Sequence, residues 1–328
     1  MRPAPQLLVL TVGQGIAAGL AVALAALWSM GVLTHREAVW LVLLALLTAA
    51  IGGVASFFHM HHMAAARYIL RRLKSSWLSR EALTTGLFGG SLAILAAWSL
   101  FGSTASWAYV WWLWVTAAAG LLAMWVTAML YATIPAVLSW HTPVTVISLL
   151  SLGLLSGASW TGLVLPLGDH VFRVFSVALM VFMLFVLGIK ALHWRHFGES
   201  HGRLRAETGT GLPFAPYRLQ DTGTTKPPYR MQTQVWPAIP VPVRNLFYGL
   251  IVLFVGVGPL LCLLLARLTG VEVLSVIFPG LVSVGVVLER WLFFADATHS
   301  SRVFFVDEPR HPSRVAAAAK KRAPVSQA

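Results

Sequence analysis

Moving protons at a membrane requires a group that titrates near neutrality and a carboxylate to hand the proton on. His59 and Glu81 supply the two from opposite ends of one short stretch. Between Ala55 and Glu81 the chain reads ASFFHMHHMAAARYILRRLKSSWLSRE. It holds His59, His61 and His62, the basic residues Arg67, Arg71, Arg72, Lys74 and Arg80, Trp77 and one carboxylate. An unperturbed imidazole titrates near pH 6.5, at about the point where it can both take and release protons. A carboxylate at a membrane boundary, beside a low-dielectric pocket, can act as a relay. Each residue also has a plainer reading. His59 suits a helix C-terminus facing the dipole, and Glu81 suits the first turn of a helix capped by Ser79. Placement favours the chemistry, because His59 ends one apolar helix and Glu81 opens the next on the same face.

The other reactive types are easier to set aside. Three histidines within four residues suggest a metal, but metal ligands converge from i, i+4 spacing or from separate segments, and no cysteine or further carboxylate stands near. We expect no metal site. The lone Cys262 excludes an internal disulfide or thiolate cluster, so any iron–sulfur centre belongs to a partner. His59, His141, His170 and His193 fall near expected helix ends and the mid-spans carry none, so no haem is expected. Glu289 and Arg290 close the last helix, with Asp296 and His299 beyond, and read as boundary anchors. Arg67, Arg71 and Lys74 form an i, i+4, i+7 stripe. It serves either headgroup contact or, with Arg72 and Arg80, docking of an acidic soluble subunit.

The elements that must position these residues follow from composition. The 328 residues are 58% hydrophobic and only 11% charged, with mean hydropathy +0.76, far from an ordinary soluble domain. Continuous apolar runs favour helices over a transmembrane barrel, and the 14 tryptophans suit membrane boundaries. The fold class is therefore an all-α integral membrane bundle. Eight segments can each cross about 30 Å of hydrocarbon: 6–33, 38–60, 82–101, 107–131, 143–166, 170–193, 243–269 and 272–294. Residues 1–294 form one domain with a long 194–242 extramembrane loop, and 295–328 a basic, flexible tail. The formal charge of +13 is topological and points to no nucleic acid. Of the 24 Lys and Arg, only Arg36, Arg173 and Arg267 fall on the side of the short connections. The positive-inside rule then places both termini in the cytoplasm.

The stretch SWLSREA, Ser76 to Ala82, resembles the membrane anchor subunit of the dimethyl sulfoxide reductase family (DmsC). The order around it is similar too. His59 follows ASFF, Arg67 precedes the loop, Thr11, Gln14 and Gly19 lie in TVGQGIAAG, and Tyr131 through Trp140 lead to Thr142 and Pro143. One departure is plain. The family commonly follows its histidine with Leu-Gly and a proline, whereas Met60, His61, His62 and Met63 stand here, so the loop enters by another path.

The resemblance implies an anchor in a bacterial inner membrane that oxidises quinol, usually menaquinol, in anaerobic respiration, with no haem of its own. It implies a four-cluster iron–sulfur subunit and a molybdopterin catalytic subunit as partners. The family's quinol-site histidine maps onto His59 and its essential carboxylate onto Glu81. Gln14, Tyr131 and Trp140 are expected to line the quinol pocket, with Arg67, Arg71, Arg72, Lys74 and Arg80 on the docking face. Two rivals remain: a transporter, disfavoured by mid-spans with little polarity beyond Gln14, Ser and Thr, and a purely structural anchor.

Overall fold

The computed structural model describes residues 3–59, 71–165, 170–203 and 239–301. The side chains of Phe57, His59 and 201–203 lie outside the description. Eight helices among the described residues are long and apolar enough to cross a membrane. They are α1 (Pro5–Ser29), α2 (His35–His59), α3 (Trp77–Phe101), α4 (Trp107–Ala132), α5 (Pro143–Trp160), α6 (His170–Arg203), α7 (Val241–Thr269) and α8 (Val273–Ala295). The expected all-α bundle is the observed one.

Helix α1 is the axis, packed by α2, α4 and α5. Small residues allow the closeness, because in lipid helix association rests on van der Waals fit rather than on the hydrophobic effect. Gly15 and Gly19 of α1 mesh with Gly153 and Gly157 of α5. A Cβ on Gly157 would lie 2.3 Å from the Leu20 nitrogen, and one on Gly19 2.5 Å from the Gly153 carbonyl oxygen. The TVGQGIAAG pattern thus has a packing cause. Helices α3 and α4 are stitched by hydroxyls: Ser91 to Thr116 at 2.6 Å and Ser99 to Tyr109 at 2.8 Å.

Three boundaries differ from expectation. Helix α3 starts at Trp77, because Ser76 rather than Ser79 is the N-cap and accepts the Ser79 amide. Glu81 therefore lies beyond the first turn, where a helix-capping role no longer explains it. Helix α6 runs to Arg203, ten residues past its expected end. Lys190, His193, Phe197 and Ser200 make a buried stripe along it, with His193 well inside the helix. The segment 295–301 is not free either. Asp296, Ala297 and Thr298 are buried, and the Ser300 amide donates to the Ala136 carbonyl in the α4–α5 link. Helix α7 carries a π-helical turn at Val252–Val257, just before Pro259, which absorbs the ring's clash with the preceding turn.

Candidate functional site

Glu81 is 7% exposed, and its surroundings come from three helices. Thr127 of α4 donates to Glu81 Oε1 at 2.8 Å and also lies 3.2 Å from Gln14 Oε1 of α1. Gln14 Nε2 in turn donates to Thr85 Oγ1, one turn beyond Glu81 on α3, at 3.3 Å. Gln14 is 3% exposed and Thr127 3%, while Thr85, at the far end of this polar network, is half-buried.

Counting hydrogens shows what the network can do. The Thr127 hydroxyl has one proton and two oxygen neighbours, so it serves one of them. With Glu81 protonated, the carboxyl donates to Thr127 and Thr127 donates to Gln14. With Glu81 ionised, Thr127 donates to the carboxylate. The Gln14 amide then turns, giving its NH₂ to Thr127 and its oxygen to the Thr85 hydroxyl. Both protonation states are satisfied without an orphaned buried group, which would cost about 1–3 kcal/mol. A group that must load and unload a proton in a dry site needs this property.

His59 closes α2, which packs against α3, so the His59 backbone and Glu81 sit at the same end of the bundle. The His59 side chain, His61, His62 and Arg67 lie outside the described residues. Of the basic residues, Arg71, Arg72 and Lys74 are exposed. Arg80 is occupied. Its Nε donates to the Leu73 carbonyl at 2.8 Å and its Nη2 to that of Lys74 at 2.7 Å, while the guanidinium stacks 4.4 Å over Trp77. It folds the turn back onto the start of α3. Trp77 meets Trp125 of α4 edge-on at 5.8 Å, an aromatic boundary flanking Glu81.

Tyr131 and Trp140 are brought together at 5.2 Å in a cluster with Phe293 and Phe294, and Trp140 Nε1 donates to the Phe293 carbonyl at 3.0 Å. Tyr131 lies within electrostatic reach of both Glu81 and Arg290. Gln14, Glu81 and Tyr131 thus share one neighbourhood, whereas Trp140 belongs to its far wall.

Residues 2–197 match the family described as DMSO reductase anchor subunit (DmsC). The chain belongs to that family. It is a multi-pass membrane anchor subunit of a molybdoenzyme complex, and so a partner of catalytic subunits. Over 279 residues, 81% of this chain and 84% of the relative, it is 27% identical to a sulfite dehydrogenase subunit of Allochromatium vinosum. No solved structure matches.

Sequence reasoning missed Thr127 and Thr85, which look like any hydroxyls in an apolar run. It also misread the charges of α8. Glu289 and Arg290 are 1% and 2% exposed and face Lys190 and His193 inside the bundle of this DmsC-family anchor. They are interior groups, not boundary anchors. His193 is engaged at both ring nitrogens, by Thr145 at 3.1 Å and Lys190 at 3.2 Å.

Proposed function

We propose that the chain oxidises a membrane quinol, menaquinol by preference, at the α1–α4 end that carries His59 and Glu81. Electrons pass to a four-cluster iron–sulfur subunit seated over the 60–76 connection, and from there to a molybdopterin catalytic subunit. Oxidising one quinol to quinone releases two electrons and two protons. His59 accepts a hydrogen bond and then a proton from one hydroxyl, and Glu81 takes a proton toward the aqueous face. Gln14 and Tyr131 line the pocket, with Trp140 behind. Arg71, Arg72 and Lys74, with Arg67, supply the charged docking face. We place the chain in a bacterial inner membrane with both termini in the cytoplasm, which reporter fusions at the C-terminus test directly.

The observation that carries this reading is the Glu81–Thr127–Gln14–Thr85 network, which accommodates the carboxyl in either protonation state. A structural anchor gains nothing from a sealed carboxylate that costs energy to bury. The test is binding of a fluorescent quinol analogue to the purified chain. Weakening by both His59→Ala and Glu81→Gln is expected. Unchanged binding in both variants would remove the site from this end of the bundle.

One observation favours the opposite direction of flow. The relative from Allochromatium vinosum bears the name of a sulfite dehydrogenase, and a dehydrogenase takes electrons from its substrate. The same residues would then donate two protons to a quinone as two electrons arrive from the partner. Comparing initial rates with quinol and with quinone as the added substrate decides the direction.

A further inference from the structure

The end of the bundle that carries the short connections is nearly bare of positive charge. Of the 24 Lys and Arg, only Arg36, Arg173 and Arg267 lie there, as a topological bias leaves it. Two of those three nevertheless face one open crevice of about 430 Å³ between α6 and α7. Its lining is His170, Arg173, Val174, Val177 and Ala178 of α6, with Arg267 from the last turn of α7.

The α6 residues recur at i, i+3, i+4, i+7 and i+8, which is one face of a helix. The same face continues toward mid-membrane with Val181, Leu184 and Phe185, which are 62%, 60% and 50% exposed. At 1.5 Å per residue the apolar track from Val174 to Phe185 is about 16 Å long. That is about one leaflet of a hydrocarbon core about 30 Å thick. A charged mouth at the boundary thus opens onto an apolar strip one acyl chain deep.

The mouth carries one sign of charge. No acidic side chain lines it, and among the described residues no carboxylate is ion-paired with Arg173 or Arg267. Two guanidiniums facing one space repel until an anion lies between them. A phosphate suits that place, because the guanidinium fork matches phosphate oxygens. A headgroup with an ammonium brings its own cation to a site that offers it no acid. The volume lies within the range of about 300–1,000 Å³ typical of small-ligand sites, and a free inorganic anion would leave the apolar strip unused.

We propose that the α6–α7 crevice binds one anionic diacyl phospholipid. Its phosphate lies between Arg173 and Arg267, and one acyl chain follows Val174, Val177, Val181 and Phe185. Helices in lipid gain no hydrophobic force from packing together, so a ligand that touches both α6 and α7 adds to the hold of the pair. The site is at the opposite end of the bundle from Glu81, and its occupancy is independent of the redox reading.

The test uses the full chain, purified and stripped of lipid in detergent. It is titrated with mixed micelles of phosphatidylglycerol or phosphatidylcholine and, separately, with inorganic phosphate. Bound lipid is read by native mass spectrometry and stability by unfolding temperature. The chain is expected to retain a single phosphatidylglycerol in preference to phosphatidylcholine, with a raised unfolding temperature. Arg173→Gln combined with Arg267→Gln is expected to weaken retention by on the order of tenfold or more. Arg36→Gln, at the same end of the bundle but off the crevice, is expected to leave it unchanged. Val177→Asp sets a carboxylate in the crevice and is expected to weaken retention in the same way, which keeps the proposal testable should the double variant fold poorly. Equal retention of the two lipids, wild-type retention in the double variant and in Val177→Asp, or an equal loss in Arg36→Gln would each overturn the proposal. Inorganic phosphate that displaces the lipid, or matches its stabilisation at equal concentration, would assign the crevice to a free anion and overturn it as well.

Discussion

The two halves of the bundle bury polarity in opposite ways. Around α1, α3 and α4 the interior is neutral hydroxyl and amide, with Glu81 the single acid among Thr127, Gln14 and Thr85. Around α6 and α8 the interior holds full charges locked to one another, Lys190 to Glu289 and Glu289 to Arg290. Neutral partners leave a carboxyl hydrogen-bonded in either protonation state, because no fixed countercharge holds it ionised. Charged partners hold their members ionised and add rigidity. The first arrangement suits a site where protons are exchanged with a bound molecule, and the second suits a scaffold whose geometry must persist.

The contrast can be broken by substitution, beginning where the effect is largest. Glu289→Ala strands the Lys190 ammonium in the interior, for which a loss of about 3–5 kcal/mol is expected. Replacing Lys190, Glu289 and Arg290 together by apolar residues is expected to recover most of that loss, as read by thermal unfolding in detergent. Gly157→Ala tests the close α1–α5 contact, where the added carbon meets backbone that cannot swing aside. A loss of about 1–3 kcal/mol or more is expected. Thr127→Val leaves Glu81 Oε1 and Gln14 without their shared donor, at a cost of about 1–3 kcal/mol, and is expected to slow quinol-dependent turnover more than a neutral lipid-facing change such as Leu122→Val.

The smallest effect is expected outside the membrane. His299, in the segment folded against the α4–α5 link, has its pKa pushed below its ordinary 6.5 by burial. The unfolded segment then binds more protons than the docked one, so docking strength is full above about pH 6.5 and falls as the pH drops below it. Hydrogen exchange of the Ser300 amide, which donates to Ala136, should quicken in mild acid and lose that pH dependence in His299→Asn.

Much of this was legible in the chain. Spans of unbroken hydrophobe are the eight helices, and SWLSRE with its surrounding pattern points to the family that the chain belongs to. Glu81 was legible as a residue but not its network, since Thr127 lies 46 positions from Glu81 and Gln14 113 positions from Thr127, and threonines in an apolar helix carry no local mark. The Lys190–Glu289 pair spans 99 positions. Glu289 alone, near an expected helix end, reads as a boundary anchor. The buried spacing of Lys190, His193, Phe197 and Ser200 was the available clue that α6 continues inward-facing past membrane length. Ser76 was likewise the better cap, because a start at Trp77 lets Arg80 reach back to the carbonyls of Leu73 and Lys74.

The central claim is that Glu81 exchanges a proton with quinol, and Glu81→Gln in the assembled complex tests it most directly. The amide keeps an acceptor for Thr127, so assembly and unfolding temperature should stay close to those of the wild type. Quinol-dependent reduction of the iron–sulfur partner should fall by on the order of 10²-fold or more, while reduction by a soluble dye that bypasses this chain is unaffected. Wild-type quinol turnover in that variant would contradict the account.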